Sequence, residues 1–166
     1  MVGQAGEKSG VVWNMLLKNE DATIKLAAKL AEYARAGDAI LLSGPLGAGK
    51  SLFARAFLRA FCQMPQLEVP SPTYTLVQSY EAPLCAVSHF DLWRLGSPDE
   101  LEELGWDEAR DGVVLVEWPQ RLEDWLPDDA LALEIDVLPE GQRRVRISGW
   151  EERLKKADMA EDGAAI

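Results

Sequence analysis

The chain has 166 residues, 48% of them hydrophobic, which suffices for one well-packed domain and leaves little room for a second. Its formal net charge of −11 argues against a broad nucleic-acid-binding surface, because contacts to phosphates need lysine and arginine side chains. No stretch approaches the roughly 20 apolar residues of a membrane-spanning helix, the N-terminal segment lacks a signal-peptide core, and the two distant cysteines fit no metal-binding spacing. We therefore expect a reduced, cytoplasmic protein that does not contact a membrane.

The first half of the chain predicts alternating strands and helices. Residues 11–17 (VVWNMLL) are typical of a strand. Residues 20–37 place apolar side chains at helical spacing, with Asn19 or Asp21 near the helix start and Gly37 at its end. A short apolar strand, DAILLSG, then leads to a helix with one apolar face, KSLFARAFLRAF. The stretch that joins these last two elements therefore connects a strand to a helix.

That connecting stretch, residues 44–51, reads GPLGAGKS and matches every fixed position of the Walker A pattern. Its glycines let backbone N–H groups turn towards an anionic phosphate, Lys50 supplies a positive charge, and the Ser51 hydroxyl is suited to binding Mg²⁺. The positive end of the following helix points at the same anion. Because Pro45 has no N–H, we expect residues 47–51 to form the phosphate cradle. The sequence therefore predicts a P-loop nucleotide site.

The second half predicts five further strands and two helices. An antiparallel hairpin is expected from residues 70–80 and 85–95, with a tight turn at Pro83. The other predicted elements are an acidic helix over 97–112 with Ser97 at its N-cap, a buried parallel strand over 112–117, half-exposed strands over 131–138 and 143–150, and a short helix from 151 that frays into a tail over 156–166. The fold class is α/β: a single P-loop NTPase-like domain over residues 1–155, with a mixed central sheet and flanking helices.

Two carboxylates stand at the ends of predicted strands, where they can face the phosphate loop. In P-loop proteins an acid at the end of a neighbouring parallel strand holds the metal, usually through water. Glu117 fits this role better because its strand is uninterrupted and apolar. Asp91 is then free to orient a water molecule or to support the magnesium ligands. The alternative for either residue is a carboxylate that caps the next element.

The segment SPTYT, residues 71–75, is rich in hydroxyl groups. Pro70 and Pro72 favour an extended backbone, so that Thr73 and its neighbours could reach a γ-phosphate or its metal. Such a segment would sense the nucleotide as a switch. The alternative, a proline-stiffened surface turn, is equally compatible with these residues.

Three further side chains have both a functional and a structural interpretation. His89 is the only histidine, and it either tunes the site or packs with its hydrogen bonds satisfied. Arg94 and Arg121 either stabilise transferred charge or stay solvated, or paired with the acidic helix. That acidic helix is either a hydrated face or a surface for a basic partner.

Four motifs in this order, GPLGAGKS, SPTYTLV, HFDLWRL and VEWPQR, resemble the TsaE family over about residues 19–145. That family comprises small bacterial P-loop ATPases of tRNA threonylcarbamoyladenosine biosynthesis. The resemblance implies a compact α/β ATPase that uses ATP and Mg²⁺ and acts with TsaB and TsaD. In that machine TsaD transfers a threonylcarbamoyl group to the adenosine beside the anticodon, and tRNA would be reached only through the complex.

The resemblance also implies roles for individual residues. Asp91 would serve hydrolysis, Thr73 would belong to the switch segment, Trp118 would lie beside the nucleotide or a partner, and Glu20 and Gly141 would lie near the base. The phosphates would be bound by Leu46, Gly47, Ala48, Gly49, Lys50 and Ser51, and Mg²⁺ by Ser51 and Glu117. The chain departs from the family pattern at Pro45, at Ser51 and Leu52, and at Trp93, where the family usually has Asp, Thr-Thr and Tyr. Serine in place of threonine keeps the hydroxyl that binds metal.

Three other functions are compatible with a P-loop. A small-molecule or nucleotide kinase would need an acceptor pocket and an arginine-bearing lid, and no distinct lid segment is visible in the sequence. A protein that holds ATP only as a structural ligand is disfavoured by the two strand-end carboxylates. A GTPase is disfavoured because neither an Asn-Lys-x-Asp element nor an Asp-x-x-Gly element is present.

Overall fold

A computed structural model describes residues 12–157, 159 and 164–165. Within this part of the chain, eight strands form a single mixed sheet. They are β1 (Val12–Leu17), β2 (Ala39–Ser43), β3 (Val77–Tyr80), β4 (Val87–Asp91), β5 (Val113–Glu117), β6 (Leu131–Val137), β7 (Arg143–Ser148) and the two-residue β8 (Ala164–Ala165). Their order across the sheet is β3-β4-β5-β2-β6-β7-β1-β8.

The centre of the sheet is parallel and its margins are antiparallel. Strands β4, β5, β2 and β6 run in one direction, whereas β3 pairs antiparallel with β4, and β7, β1 and β8 continue antiparallel on the other side. All five residues of β4 and of β5 are buried, as expected for central parallel strands covered on both faces. In β6 only alternate residues are buried. The predicted α/β class and mixed sheet are confirmed.

Helices cover the two faces of the sheet unequally. The helices are α1 (Glu20–Tyr33), α2 (Lys50–Phe61), α3 (Glu100–Glu103), α4 (Trp106–Ala109) and α5 (Glu151–Ala157), with 3₁₀ turns at Pro119–Trp125 and Pro139–Gly141. Helices α1, α2 and α5 pack on the face that carries Ile40 and Leu42. The alternate residues Ala39 and Leu41 face a smaller core formed with α3, α4 and the first 3₁₀ turn. Because alternate residues of a strand point to opposite faces, the two faces of this one sheet contribute to two separate cores.

Several predicted element boundaries are wrong, including that of the second hairpin strand, which ends at Asp91 instead of Leu95. Helix α1 begins after Asn19, whose side chain accepts the Ala22 N–H at 3.0 Å, but it ends at Tyr33 instead of Gly37. The predicted acidic helix is two short helices, because Gly105 between them adopts a left-handed backbone with φ of +80°. The first hairpin strand begins at Val77, since the Leu76 N–H turns back to the Pro72 carbonyl.

The ends of the chain are described only in part. Helix α5 reaches Ala157, and both Ala157 and Met159 are buried in the larger core. Residues 158, 160–163 and 166 of the tail lie outside the described residues, as does residue 11 of the first predicted strand. Among the described residues, no helix has both the length and the apolar character needed to cross a bilayer.

Candidate nucleotide site

Strand register brings the predicted site residues to one edge of the sheet. Strand β2 runs into the loop of residues 44–49, and helix α2 begins at Lys50. On the neighbouring strands, Asp91 is the register partner of Glu117, and Glu117 is also the partner of Leu42. The carboxyl ends of parallel strands meet at one edge, so the two carboxylates face the phosphate loop.

The loop can adopt its shape because glycines occupy two demanding positions. A Cβ atom on Gly44 would lie 2.6 Å from the Ile135 carbonyl oxygen, so any side chain would clash with backbone. Gly49, the residue before α2, has φ of +106°, a conformation that side chains rarely tolerate, and nothing lies within 4 Å of its Cβ position. That open space at the start of a helix fits an anion cradle.

Lys50 is a buried cation in this loop. Its Nζ donates to the Gly44 carbonyl at 2.6 Å and lies 3.9 Å from the centre of the Trp118 ring. Burial lowers the pKa of Lys50, and the nearby carboxylates Glu117 and Asp91 oppose that shift. An ammonium group with few water contacts gains strongly from a phosphate anion at the same place.

Asp91 is held by donors from two segments. Its Oδ2 accepts the Thr73 hydroxyl at 3.1 Å, and its Oδ1 accepts the Trp93 N–H at 3.1 Å. The Thr73 hydroxyl also lies 2.7 Å from the Ser71 hydroxyl. The hydroxyl-rich segment is therefore a turn attached to the end of β4 through Asp91.

Glu117 contacts the single histidine of the chain. The Nε2 atom of His89 lies 2.8 Å from Oε2 of Glu117, and both residues are buried. Within the described residues, the buried Nδ1 of His89 has no hydrogen-bond partner. His89 is therefore in contact with the candidate metal ligand, which favours its functional interpretation over simple packing.

Aromatic rings form one wall of the site. The rings of Trp93 and Trp118 lie 4.5 Å apart, and Trp118 has a left-handed backbone with φ of +61°. Arg94 stacks on the Tyr74 ring at 4.5 Å, while Arg121 donates to the Leu95 carbonyl at 2.9 Å. Of the two arginines, only Arg94 lines the site cleft, whereas Arg121 lies outside the lining, 5.9 Å from the centre of the Trp93 ring.

All twelve site residues predicted from the sequence line one cleft of about 650 Å³. They are Glu20, Leu46, Gly47, Ala48, Gly49, Lys50, Ser51, Thr73, Asp91, Glu117, Trp118 and Gly141. Of the other lining residues, sequence reasoning assigned a possible functional role to Arg94 and Ser71, as a charge-stabilising arginine and as part of the hydroxyl-rich segment. It assigned none to the remaining five, which are Asn19, Thr23, Leu52, Trp93 and Arg143. Asn19 and Thr23 could have been found, because they flank Glu20 at the start of α1. Arg143 carried no sequence signal, since it lies almost a hundred residues after the loop that it contacts.

Comparisons with known proteins place this chain in one family. The family model for the threonylcarbamoyl adenosine biosynthesis protein TsaE matches residues 17–145. A tRNA threonylcarbamoyladenosine biosynthesis protein TsaE from Rickettsia felis is 38% identical over 130 residues, which are 78% of this chain and 75% of the relative. The protein of that name from Aquifex aeolicus is also 38% identical, over 80% of this chain and 93% of its own.

The similarity extends to a more distant sequence and to a solved structure. The Bacillus subtilis protein named TsaE is 34% identical over 76% of this chain and 79% of its own. The crystal structure of YdiB from Bacillus subtilis matches with a TM-score of 0.74 at 24% identity, and covers 92% of this chain and 97% of that one. The structural match supports the fold, and the sequence matches confirm the resemblance carried by the four motifs. The chain therefore belongs to the TsaE family of threonylcarbamoyl adenosine biosynthesis proteins.

Proposed function

We propose that this chain is a Mg²⁺-dependent ATPase that supports threonylcarbamoyl modification of the tRNA adenosine beside the anticodon, acting in the cytoplasm with TsaB and TsaD. The observation that carries the proposal is the single cleft that gathers the Walker A loop, a buried lysine and two strand-end carboxylates. Family membership supplies the pathway. The residues of the cleft support the proposed hydrolysis of ATP.

The donor atoms of the cleft fit magnesium. Mg²⁺ prefers oxygen ligands and commonly combines one or two protein groups with phosphate oxygens and water. The Ser51 hydroxyl and the Glu117 carboxylate are oxygen donors of this kind, and within the described residues no cluster of three or more His, Cys, Asp or Glu side chains forms a metal cage. When bound, the ion would neutralise charge on the phosphate oxygens.

The protein's own groups would bind the nucleotide and orient the attacking water. Backbone N–H groups of residues 47–51 and the Lys50 ammonium bind the phosphates. Asp91 already accepts one bond at each carboxylate oxygen, and a carboxylate has about four acceptor positions, so it can also accept a water O–H. Catalysis would rest on positioning and electrostatics.

Surface properties support a role within a complex. Leu46 and Trp93, which line the cleft, are exposed by 76% and 43%, and Tyr74, which stacks on the cleft residue Arg94, is exposed by 81%. A partner protein could cover these side chains. The net charge of −11 makes direct binding of tRNA unfavourable, which leaves that contact to TsaB or TsaD.

Mg²⁺-dependent hydrolysis of ATP by the purified chain, with and without TsaB, TsaD and substrate tRNA, tests the proposal. We expect slow turnover alone and faster turnover when the partners and tRNA are present. Absence of hydrolysis under every condition would refute the ATPase. If partners change nothing and labelled phosphate appears on an added small acceptor, the protein is a kinase instead.

A further inference from the structure

Arg143 joins the phosphate loop to a distant hairpin. Its Nε donates to the Ala48 carbonyl at 2.9 Å and its Nη2 to the Gly47 carbonyl at 3.1 Å. Its Nη1 donates to the Gln142 carbonyl at 3.0 Å. The side chain is half-buried and lines the same cleft as Lys50. One guanidinium group thus spans two consecutive carbonyls of the loop and one carbonyl of the β6–β7 connection.

These contacts constrain the groups that would bind phosphate. In a trans peptide unit the C=O and the next N–H point in opposite directions, and the described chain has no cis peptide bond. A guanidinium that fixes the Ala48 carbonyl therefore also fixes the Gly49 N–H, on the far side of the same peptide plane. The bond to Gly47 fixes the preceding peptide unit in the same way. The Ala48 N–H of that preceding unit donates to the Pro45 carbonyl at 3.1 Å, so Arg143 orients one amide of the candidate cradle, the Gly49 N–H, and holds the turn that precedes it.

The loop needs such a constraint because glycines loosen it. Gly47 and Gly49 have positive φ angles of +81° and +106°, and glycine has more backbone freedom to lose than any other residue. On the other side, the hairpin is closed by a bond of 2.9 Å from the Leu138 N–H to the Gln142 carbonyl, the same oxygen that accepts from Arg143. The arginine therefore ties a flexible loop to a hydrogen-bonded turn.

We propose that Arg143 is a positioning residue that pre-orders the phosphate loop and so raises the affinity for nucleoside di- and triphosphates. The inference rests on the proposed binding of nucleotide at Lys50. A loop ordered before binding has less conformational entropy to lose when the ligand arrives. Arginine suits this role because its planar fork spans two adjacent carbonyls, whereas a lysine ammonium acts as a point charge. The effect falls on binding, because the three hydrogen bonds of Arg143 all go to backbone carbonyls and none to Asp91 or Glu117.

The test compares R143M with R144M, which removes the same charge from the next residue. The Arg144 side chain points away from the loop contacts and pairs with Asp136 at 3.1 Å. For R143M we expect the Kd for both ATP and ADP to rise roughly tenfold, with KM for ATP rising in parallel and kcat within about twofold of the parent. R144M should match the parent. R143K should resemble R143M, because lysine cannot bridge both carbonyls.

Several results would overturn the inference. An unchanged Kd in R143M would do so, as would a fall in kcat without a change in Kd. Full rescue by R143K would show that positive charge near the phosphates matters, and not the bridge. If R143M fails to fold, R143K provides the same comparison, since it keeps the charge and most of the alkyl chain.

A second readout separates this inference from the proposed function. Without nucleotide, NMR order parameters of the backbone amides at residues 47–49 should fall in R143M and stay at the parent value in R144M. Unchanged order parameters would refute loop ordering by Arg143 whatever the nucleotide affinity. If the parent chain binds no ATP or ADP, the proposed function is wrong and the affinity effect is refuted with it, whereas loop ordering is still decided by the amides.

Discussion

Two hollows lie at opposite ends of the sheet in the described part of the chain, and the smaller one holds the candidate nucleotide site. The cleft at the carboxyl ends of the parallel strands measures about 650 Å³. The second hollow, of about 1150 Å³, lies where β1 and β6 begin and where α5 starts, and its lining includes Val12, Ala130, Trp150 and Arg153. If volume alone identified a functional site, the second hollow would be the candidate. The two hollows differ in how their charges are arranged.

In the second hollow a half-buried arginine has its hydrogen-bond partners within the fold itself. Arg153 donates to both carboxylate oxygens of Asp38 at 2.6 and 2.9 Å and to the Tyr33 carbonyl at 2.9 Å, where it also closes the end of α1. In the first cleft, Lys50, Asp91 and Glu117 are the buried charged residues of the described chain. Charges of both signs that are buried beside an open cleft indicate a site that a ligand completes.

Replacing Lys50 by alanine should have the largest effect on activity. Loss of a buried charge that binds phosphate is expected to cost about 3 kcal/mol, or roughly a 100-fold loss of nucleotide affinity or turnover. The matched control is Lys156→Ala, which removes a lysine from the lining of the second hollow. Calorimetry measures the affinity of both variants for ATP, and steady-state hydrolysis measures their turnover. Similar losses of affinity or turnover in the two variants would show that the first cleft is no more important for nucleotide binding than the second hollow.

Replacing Glu117 by glutamine should separate binding from turnover. The amide keeps the shape of the side chain but weakens its interaction with Mg²⁺, so we expect kcat to fall by about 100-fold while affinity for ATP stays within a few-fold. Asp129→Asn, in the lining of the second hollow, is the control for loss of a carboxylate. A titration of hydrolysis against Mg²⁺ concentration makes the comparison. Full activity of the glutamine variant would remove Glu117 from the metal site.

Much of the site could be predicted because its residues are close in sequence or stand at strand ends. The Walker A loop is one continuous segment. Asp91 and Glu117 each end a predicted strand, and in a parallel sheet such strand ends lie side by side at one edge. The central strands were also predictable, because continuous apolar runs such as VVLV indicate burial on both faces.

The errors arise from single backbone conformations and from contacts between distant segments, which composition does not reveal. The acidic segment was predicted as one helix because its apolar residues keep helical spacing throughout. The left-handed backbone of Gly105 nevertheless divides it into two short helices. Helix α1 stopped before Gly37, because Arg153 and Asp38 bind the backbone at its end. The sequence also contains no sign of the role of Arg143. The loop carbonyls that it contacts are far away in sequence, and bonds to backbone carbonyls leave no motif in the sequence.

Replacing His89 by asparagine should give a smaller loss of turnover than Glu117→Gln. The change removes the 2.8 Å contact to Glu117, which would then reorient, and groups that orient metal ligands typically contribute 10- to 100-fold, so we expect about a 10-fold fall in kcat. Ser88→Ala, the neighbouring residue whose hydroxyl contacts Ser79, is the control for disturbance of β4. Equal losses in both variants would assign the effect to the strand and not to the His89–Glu117 contact.

Replacing Arg153 by methionine should leave turnover unchanged and lower stability. Asp38 would lose two hydrogen bonds from a cation while its side chain stays only 12% exposed, so we expect the free energy of unfolding to fall by about 1–3 kcal/mol. Arg146→Met is the control, because the pair of Arg146 with Glu134 is more than half exposed and such pairs contribute about 0–1 kcal/mol. Urea unfolding measures stability, and ATP hydrolysis measures function in the same samples. A variant that folds as stably as the parent but hydrolyses ATP more slowly would give the larger hollow a functional role and reverse the contrast between the two ends of the sheet.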